Sequence, residues 1–136
     1  SPWELTIGKV LPFVAIGLLQ RVAHLPLAVD AWRRSLVPLI REGRTSLAAL
    51  ARAHHLSARS LQRRLADQGM TFQGLLDETR RHLAEAYLRD ERLDLAEIAL
   101  LLGYSEQSAF TRAFRTWTGL PPAQWLRWAT TDLRDA

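Results

Sequence analysis

Apolar residues recur along this chain at helical spacing, and one pattern of them occurs twice. The first copy is SLAALARAHHLSARSLQRRL, Ser46 to Leu65, and the second is DLAEIALLLGYSEQSAFTRAF, Asp94 to Phe114. Setting Leu47, Ala48, Leu50 and Ala51 against Leu95, Ala96, Ile98 and Ala99 aligns the copies about 48 residues apart and puts Ser57 opposite Ser105. One extra residue then enters the second copy, so that Leu61 matches Phe110, Arg63 matches Arg112 and Leu65 matches Phe114. Each copy reads as a short apolar helix, a tight turn, and a second helix anchored by two large apolar residues one turn apart. No stretch alternates with a period of two for long enough to predict a strand.

From about Asp30 onward the pattern predicts seven helices. Asp30 is taken as the N-cap of the first, running to about Glu42 with Trp32, Leu36, Leu39 and Ile40 on one face. Gly43 ends it. Ser46 caps the second, Leu47 to His54, and Ser57 caps the third, to about Gln68, where Gly69 stops it. Thr71 opens the longest, to about Asp90. Phe72, Leu75, Leu76, Leu83 and Tyr87 form its apolar stripe, with Arg80, Arg81, Glu85 and Arg89 away from it. Asp94, with Glu97 three residues on, starts the fifth helix in the manner of a capping box, and Gly103 breaks it after Leu102. Ser105 is expected to cap the sixth, to about Trp117. Pro121-Pro122 starts a last, short helix carrying Trp125 and Trp128, since proline suits a first helical turn.

The ends differ from this middle. Residues 1–30 combine Gly8, Pro12, Gly17 and Pro26 with a heavy apolar load from Trp3 to Leu19. Glycine and proline weaken any long helix there, yet so many apolar residues predict packing rather than a solvated tail. The segment is expected to be a linker, or a remnant of an N-terminal domain, docked on residues 31–128 or on a second copy. Residues 129–136 are expected to be a polar, frayed tail. Val10–Leu19 is too short to span a bilayer and is interrupted by Pro12, so no membrane role and a soluble, cytoplasmic protein are expected.

Composition narrows the chemistry. The chain has 136 residues, enough for one helical domain, and no cysteine, which excludes disulfides, cysteine zinc sites and a thiol nucleophile. Seventeen of its eighteen basic residues are Arg, which suits phosphates and guanine edges but is also what a GC-rich genome produces. Between Ala31 and Trp128 fifteen Arg face ten acids, a net +5 that favours a polyanion only weakly. The four histidines form no metal motif such as HExxH, and His54-His55 reads as turn chemistry. An enzyme is not expected, nor a cofactor or a metal.

A helix-turn-helix needs a small residue where its helices cross, a tight turn, and apolar anchors under the second helix. Ala51 and Ala99 supply the crossings, Gly103 the second turn, and Leu61, Leu65, Phe110 and Phe114 the anchors. With those inward, Ala58, Arg59, Gln62 and Arg63 must face out in the first copy, and Glu106, Gln107, Ser108, Thr111 and Arg112 in the second. Arg pairs bidentately with guanine and Gln with adenine, and Ser or Thr reaches bases or phosphates. A solvated helix face is the alternative for one such motif alone. Two copies with matching anchors and an Arg in the same place argue for two groove contacts.

The stretch IALLLGYSEQSAFTRAFRTWTGLPPAQW, Ile98 to Trp125, resembles the signature of the AraC/XylS family of bacterial transcription regulators, and the SLQRRL segment and connecting helix agree over about Ala31 to Trp128. The resemblance implies an all-α fold in which two helix-turn-helix subdomains are joined by the long helix Phe72–Arg89. It implies sequence-specific binding of double-stranded operator DNA, with helices at about 58–68 and 106–117 entering successive major grooves. Matched residue by residue, the base-contact candidates are Arg59, Gln62, Arg63, Gln107, Ser108, Thr111 and Arg112. RNA polymerase as a partner, activation as the more common outcome, and a homodimer in the full-length protein are implied too. His55 departs from the pattern by standing where the first turn usually has glycine. The competing function is a helical protein-interaction module, for which Trp3 and Trp128 are the residues to examine. RNA is disfavoured because an A-form major groove is too narrow to admit these helices.

Overall fold

The structure, a computed structural model, describes residues 26–135, which form seven α-helices. They are α1 (Pro26–Arg41), α2 (Leu47–Ala53), α3 (Ala58–Asp67), α4 (Phe72–Leu88), α5 (Leu95–Leu101), α6 (Gln107–Thr118) and α7 (Pro122–Asp135). No strand occurs among the described residues, as the spacing predicts.

Two cores lie at the two ends of α4. The first gathers Val29, Trp32, Leu36 and Ile40 of α1, Leu50 and Ala51 of α2, Leu61 and Leu65 of α3, and Leu75 and Leu76 of α4. The second gathers Ala84 and Leu88 of α4, Ile98, Ala99 and Leu102 around α5, Phe110 and Phe114 of α6, and Trp125 and Ala129 of α7. Leu83 packs against both. The first core is mainly aliphatic. The second is an aromatic stack in which the Phe114 ring lies 5.8 Å from Phe110 and 5.7 Å from Trp125, both edge to face. Each edge-to-face pair adds about 0.5–1.5 kcal/mol beyond the area it buries.

Four of the expected caps form. Ser46 accepts from the Ala49 amide, Ser57 from Ser60, Thr71 from Gly74 and Asp94 from Glu97, at 2.8–3.1 Å. Ser105 does not cap α6. The extra residue of the second copy moves the N-cap to Glu106, whose side chain makes no capping bond. Asp30 is likewise not an N-cap, because α1 begins a turn earlier at Pro26, where the missing amide costs nothing. The Asp30 carboxylate is engaged instead by Arg33, which also reaches Glu78 at 2.6 Å and ties α1 to α4. At the other end α7 runs on to Asp135. Thr130 and Thr131 donate back to the Leu126 and Arg127 carbonyls, and Ala129 is buried in the second core. The boundaries drawn at residues 31 and 128 therefore both fall inside helices. The docking expected of residues 1–30 falls mainly on residues 1–25, outside the described residues.

Arg80 departs from its expected exposure. It is partly buried and holds its guanidinium 5.3 Å over the Tyr104 ring, while Arg89 does the same over Trp125. A single apolar stripe describes a helix packed on one side. Because α4 is shared by two cores, its polar flank is partly covered as well. Arg81 stays exposed and pairs with Glu85 at 3.1 Å.

The two helix-turn-helix turns close with one hydrogen-bond pattern. The Leu56 amide donates to the Ala51 carbonyl at 2.8 Å, and the Tyr104 amide to the Ala99 carbonyl at 2.9 Å. Each bond spans five residues and requires a left-handed residue just before the donor. That residue is His55 at φ 56° in the first turn and Gly103 at φ 86° in the second. A left-handed backbone costs a side chain about 1–2 kcal/mol, partly offset by the greater chain entropy glycine loses on folding. His55→Gly is therefore expected to stabilise the domain by up to about 1 kcal/mol. Gly103→Ala is expected to destabilise it by about 1–2 kcal/mol or more, since its Cβ would also meet the Ile40 carbonyl oxygen at 3.1 Å. Urea unfolding midpoints that move in the same direction for both variants would refute this account of the turns.

His54 ends α2 and joins its Nε2 to the Ser35 hydroxyl of α1 at 2.8 Å. Burial, and then the neighbouring His55, hold its imidazole below the ordinary value of 6.5. The folded state thus prefers neutral His54, and the unfolded chain binds the proton more readily. The stability this group contributes is present above pH 6.5 and is lost as pH falls through the lower folded value. His54→Gln, which does not titrate, is expected to flatten the decline in stability between about pH 7 and 5. Parallel pH–stability curves for the two proteins would refute this.

Candidate nucleic-acid interface

Burial of the anchors decides which way each second helix faces. Leu61 and Leu65 are buried in the first core and Phe110 and Phe114 in the second, all at 1% exposure or less. At 100° per residue this turns Arg59, Gln62 and Arg63 of α3 outward, and Ser108 and Arg112 of α6, whereas Gln107 lies on the anchors' side and is exposed as the first residue of the helix. All six are exposed, and Thr111 is half-buried. The structure thus brings the predicted residues together as two separate sets on two helices. Arg59, Gln62, Arg63 and Ala66 line one shallow depression on α3.

Ion pairs hold four arginines away from these faces, while Arg34, Arg52 and Arg127 elsewhere on the surface make none among the described residues. Arg33, Arg44, Arg81 and Arg92 are all engaged by carboxylates, Arg92 at 3.0 Å from Asp90, which pulls the Asp90 carboxyl below its usual range. Among the described residues Arg59, Arg63 and Arg112 make no ion pair. Phosphate oxygens are strong acceptors in the spacing that a guanidinium fork fits. A charged face without carboxylate partners needs no internal bond broken before it meets a polyanion.

Sequence patterns miss two residues on these faces, and place a third, Glu106, outward without counting it among the base-contact candidates. Arg64 on α3 and Arg115 on α6 are exposed beside the matched positions and widen the basic surface. Helical spacing alone could have shown both. Glu106 stands exposed at the head of α6, where its carboxylate accepts weakly from the Ser108 hydroxyl at 3.4 Å. A carboxylate there can accept from a cytosine amino group but repels phosphate, so α6 is the less basic of the two faces. The half-buried Ala58 and Ala109 add no reach. His54, with its ring on Ser35, belongs to the packing behind α3.

Comparison with known proteins follows the same outline. A family model described as a helix-turn-helix domain matches residues 50–127. The ornithine utilization regulator of Pseudomonas aeruginosa is 45% identical over 109 residues, which cover 80% of this chain and 29% of that protein. The crystal structure of the transcriptional regulator CdpR from Pseudomonas aeruginosa aligns with a TM-score of 0.57 at 40% identity, over 69% of this chain and 31% of that one. The C-terminal domain of AraT, a response regulator from Geobacillus stearothermophilus, aligns with a TM-score of 0.62 at 28% identity, over 73% and 83%. The chain thus spans less than a third of the length of the curated relatives it matches.

Arg63→Ala and Arg112→Ala are each expected to weaken duplex binding by about 1–3 kcal/mol and to relax sequence preference over one box only. Arg81→Ala, whose guanidinium is held by Glu85, is expected to change binding little. Competition titrations against point-mutated duplexes measure this. Losses that are equal on every sequence would make Arg63 and Arg112 phosphate clamps instead.

Proposed function

The chain belongs to the AraC-type helix-turn-helix family, and on that premise we propose that it is the DNA-binding end of a transcription regulator, with α3 and α6 seated in successive major grooves of one operator. The observation that carries this reading is the pair of outward faces, each anchored from beneath and each presenting arginine without a carboxylate partner. Arg59, Gln62 and Arg63 read one box, and Gln107, Ser108, Thr111 and Arg112 the other. At 1.5 Å per residue α4 is about 25 Å long. With one lobe packed at each end, it supports a separation on the order of one DNA turn, roughly 34 Å.

The regulator acts in the cytoplasm and activates transcription by contacting RNA polymerase. The remainder of the longer protein senses an effector and dimerises. The domain itself catalyses nothing. It binds the operator without effector and with modest affinity, because a lone domain lacks the gain in effective concentration that tethering two of them provides.

Selection from a random duplex pool, followed by footprinting, tests the reading. The protected stretch is expected to span about 15–20 base pairs and to hold two different, non-palindromic boxes one turn apart. Recovery of a single box of about four base pairs would overturn the two-groove arrangement. Binding that is absent, or insensitive to salt, would favour a protein-interaction module, with exposed Trp128 and Leu100 as its first candidates.

A further inference from the structure

Besides sharing α4, the two lobes meet at a three-way junction. Arg80, from the middle of α4, lies over the Tyr104 ring, and its Nε is buried without a hydrogen-bond partner. Tyr104 follows Gly103, the turn residue of the second helix-turn-helix. Gly103 sits so close to the end of α1 that an added Cβ would be 3.1 Å from the Ile40 carbonyl oxygen and 3.8 Å from an Arg80 terminal nitrogen. One guanidinium therefore touches the turn that aims α6 at the point where that turn abuts the first lobe. Nearby, Arg41 of α1 donates to the Tyr87 hydroxyl of α4 at 3.2 Å.

The internal repeat separates this contact from what a helix-turn-helix needs in order to fold. The 48-residue offset that matches the two copies also lays α4 on α1, with Ala84 on Leu36 and Leu88 on Ile40. In that register Arg80 falls on Trp32, and Tyr104 on Leu56. Trp32 and Leu56 both belong to the first, aliphatic core. The first copy thus closes the same turn, with the same hydrogen bond, with apolar residues at both positions. In the second copy a charged side chain takes the tryptophan's place, and an arginine with a desolvated, unpaired nitrogen is a poor choice for stability alone. A planar guanidinium stacked on a ring does fix an orientation, because both partners are flat and the attraction depends on the face presented. Burial pushes the Tyr104 phenol above its usual range, and the Arg80 charge acts against that shift.

We propose that Arg80 is a positioning residue that fixes the rotation of the second helix-turn-helix relative to the first by clamping Tyr104 at the junction with Ile40, and so sets the number of base pairs the domain accepts between its two boxes. The proposal rests on the two-groove reading. Inserting one base pair between the boxes turns the second by about 35°. A rigid junction cannot follow that rotation, whereas a loosened one can.

Anisotropy titrations of the chain test this on four duplexes. They are the selected operator, the same with one or two base pairs inserted between its boxes, and one keeping only the α3 box. Wild type is expected to lose about tenfold or more per inserted pair, the size of one lost base contact. In Arg80→Met the insertion penalty should shrink to about threefold or less, with affinity for the single-box duplex unchanged. Arg80→Lys keeps the charge but not the plane and should fall between the two. Tyr104→Leu, which removes the ring and leaves the arginine, should reproduce the phenotype, and it carries the test should Arg80→Met fail to fold. If the variants lose affinity on every duplex by one factor with the insertion penalty intact, Arg80 is only packing and the proposal is wrong. The proposal also fails if the variants match wild type throughout. A wild type indifferent to insertion overturns the two-groove reading, and the proposal with it.

Discussion

Two alanines let this domain exist in its present form. Ala51 and Ala99, each about 1% exposed, are the small buried residues on the first helix of each motif. Only a small side chain lets the helices approach closely enough for a turn of four residues (54–57) or five (102–106) to join them. The turn then closes on the same alanine, whose carbonyl accepts the amide of Leu56 or Tyr104. Crossing and turn are therefore one constraint. A larger residue at either alanine would separate the helices, stretch that bond and tilt the exposed face. The anchors beneath α3 and α6 come after this constraint, since they fill whatever space the crossing leaves.

The two lobes meet that constraint with different cores. Leucines fill the first. Rings fill the second, with Phe114 touching Phe110, Trp117 and Trp125 within 6.4 Å. Aromatic packing is directional, so the second lobe holds α6 and α7 in a fixed relation to each other. The first lobe relies more on polar ties around its periphery. Arg33 bridges Asp30 and Glu78, and His54 reaches Ser35. The connecting helix belongs to both cores, and so it conveys the orientation of one lobe to the other.

Much of this was legible from residue patterns. The repeat spacing located α2, α3, α5 and α6, and the side chains of Ser46, Ser57, Thr71 and Asp94 marked four helix starts correctly. His55 was identified as a residue in a glycine's place, and it does hold a positive φ. The misreadings share a physical cause, in that a local rule was applied where a tertiary partner decided. Asp30 has the chemistry of a cap, but Arg33 engages it and Pro26 starts the helix. Ser105 matches Ser57 in the alignment, but an inserted residue moves the helix start past it. Arg80 falls outside the apolar stripe of α4, yet the second lobe covers that flank. Residues 129–136 look polar, and Ala129 at their start is nonetheless buried in the second core. The outward faces could be read because burying two anchors per helix fixes the remaining directions by geometry alone. The pairing state of the arginines is set mostly by local ion pairs, such as Arg81–Glu85 and Arg92–Asp90, whereas the Arg33–Glu78 bridge joins distant parts of the chain and could not be read in that way.

That pairing state bears on how the two faces would share the work on a duplex. Arg59, Arg63 and Arg64 put three positive charges on α3, with Asp67 a full turn beyond Arg63. On α6, Arg112 and Arg115 are set against Glu106 at its N-terminal end. Attraction to phosphate is long-ranged, salt-sensitive and indifferent to sequence, so it resides mostly on α3. A carboxylate, two short hydroxyls and an amide contribute little to that attraction. They do impose donor and acceptor demands that a wrong base leaves unmet, and an unmet demand in a desolvated groove is costly. On the proposed reading the first lobe would supply affinity and the second discrimination. This division works only if the second lobe is presented to its groove at a fixed angle, because a loosely held reader cannot penalise a mismatch. The charge asymmetry and the proposed clamp at Arg80 would thus depend on one another.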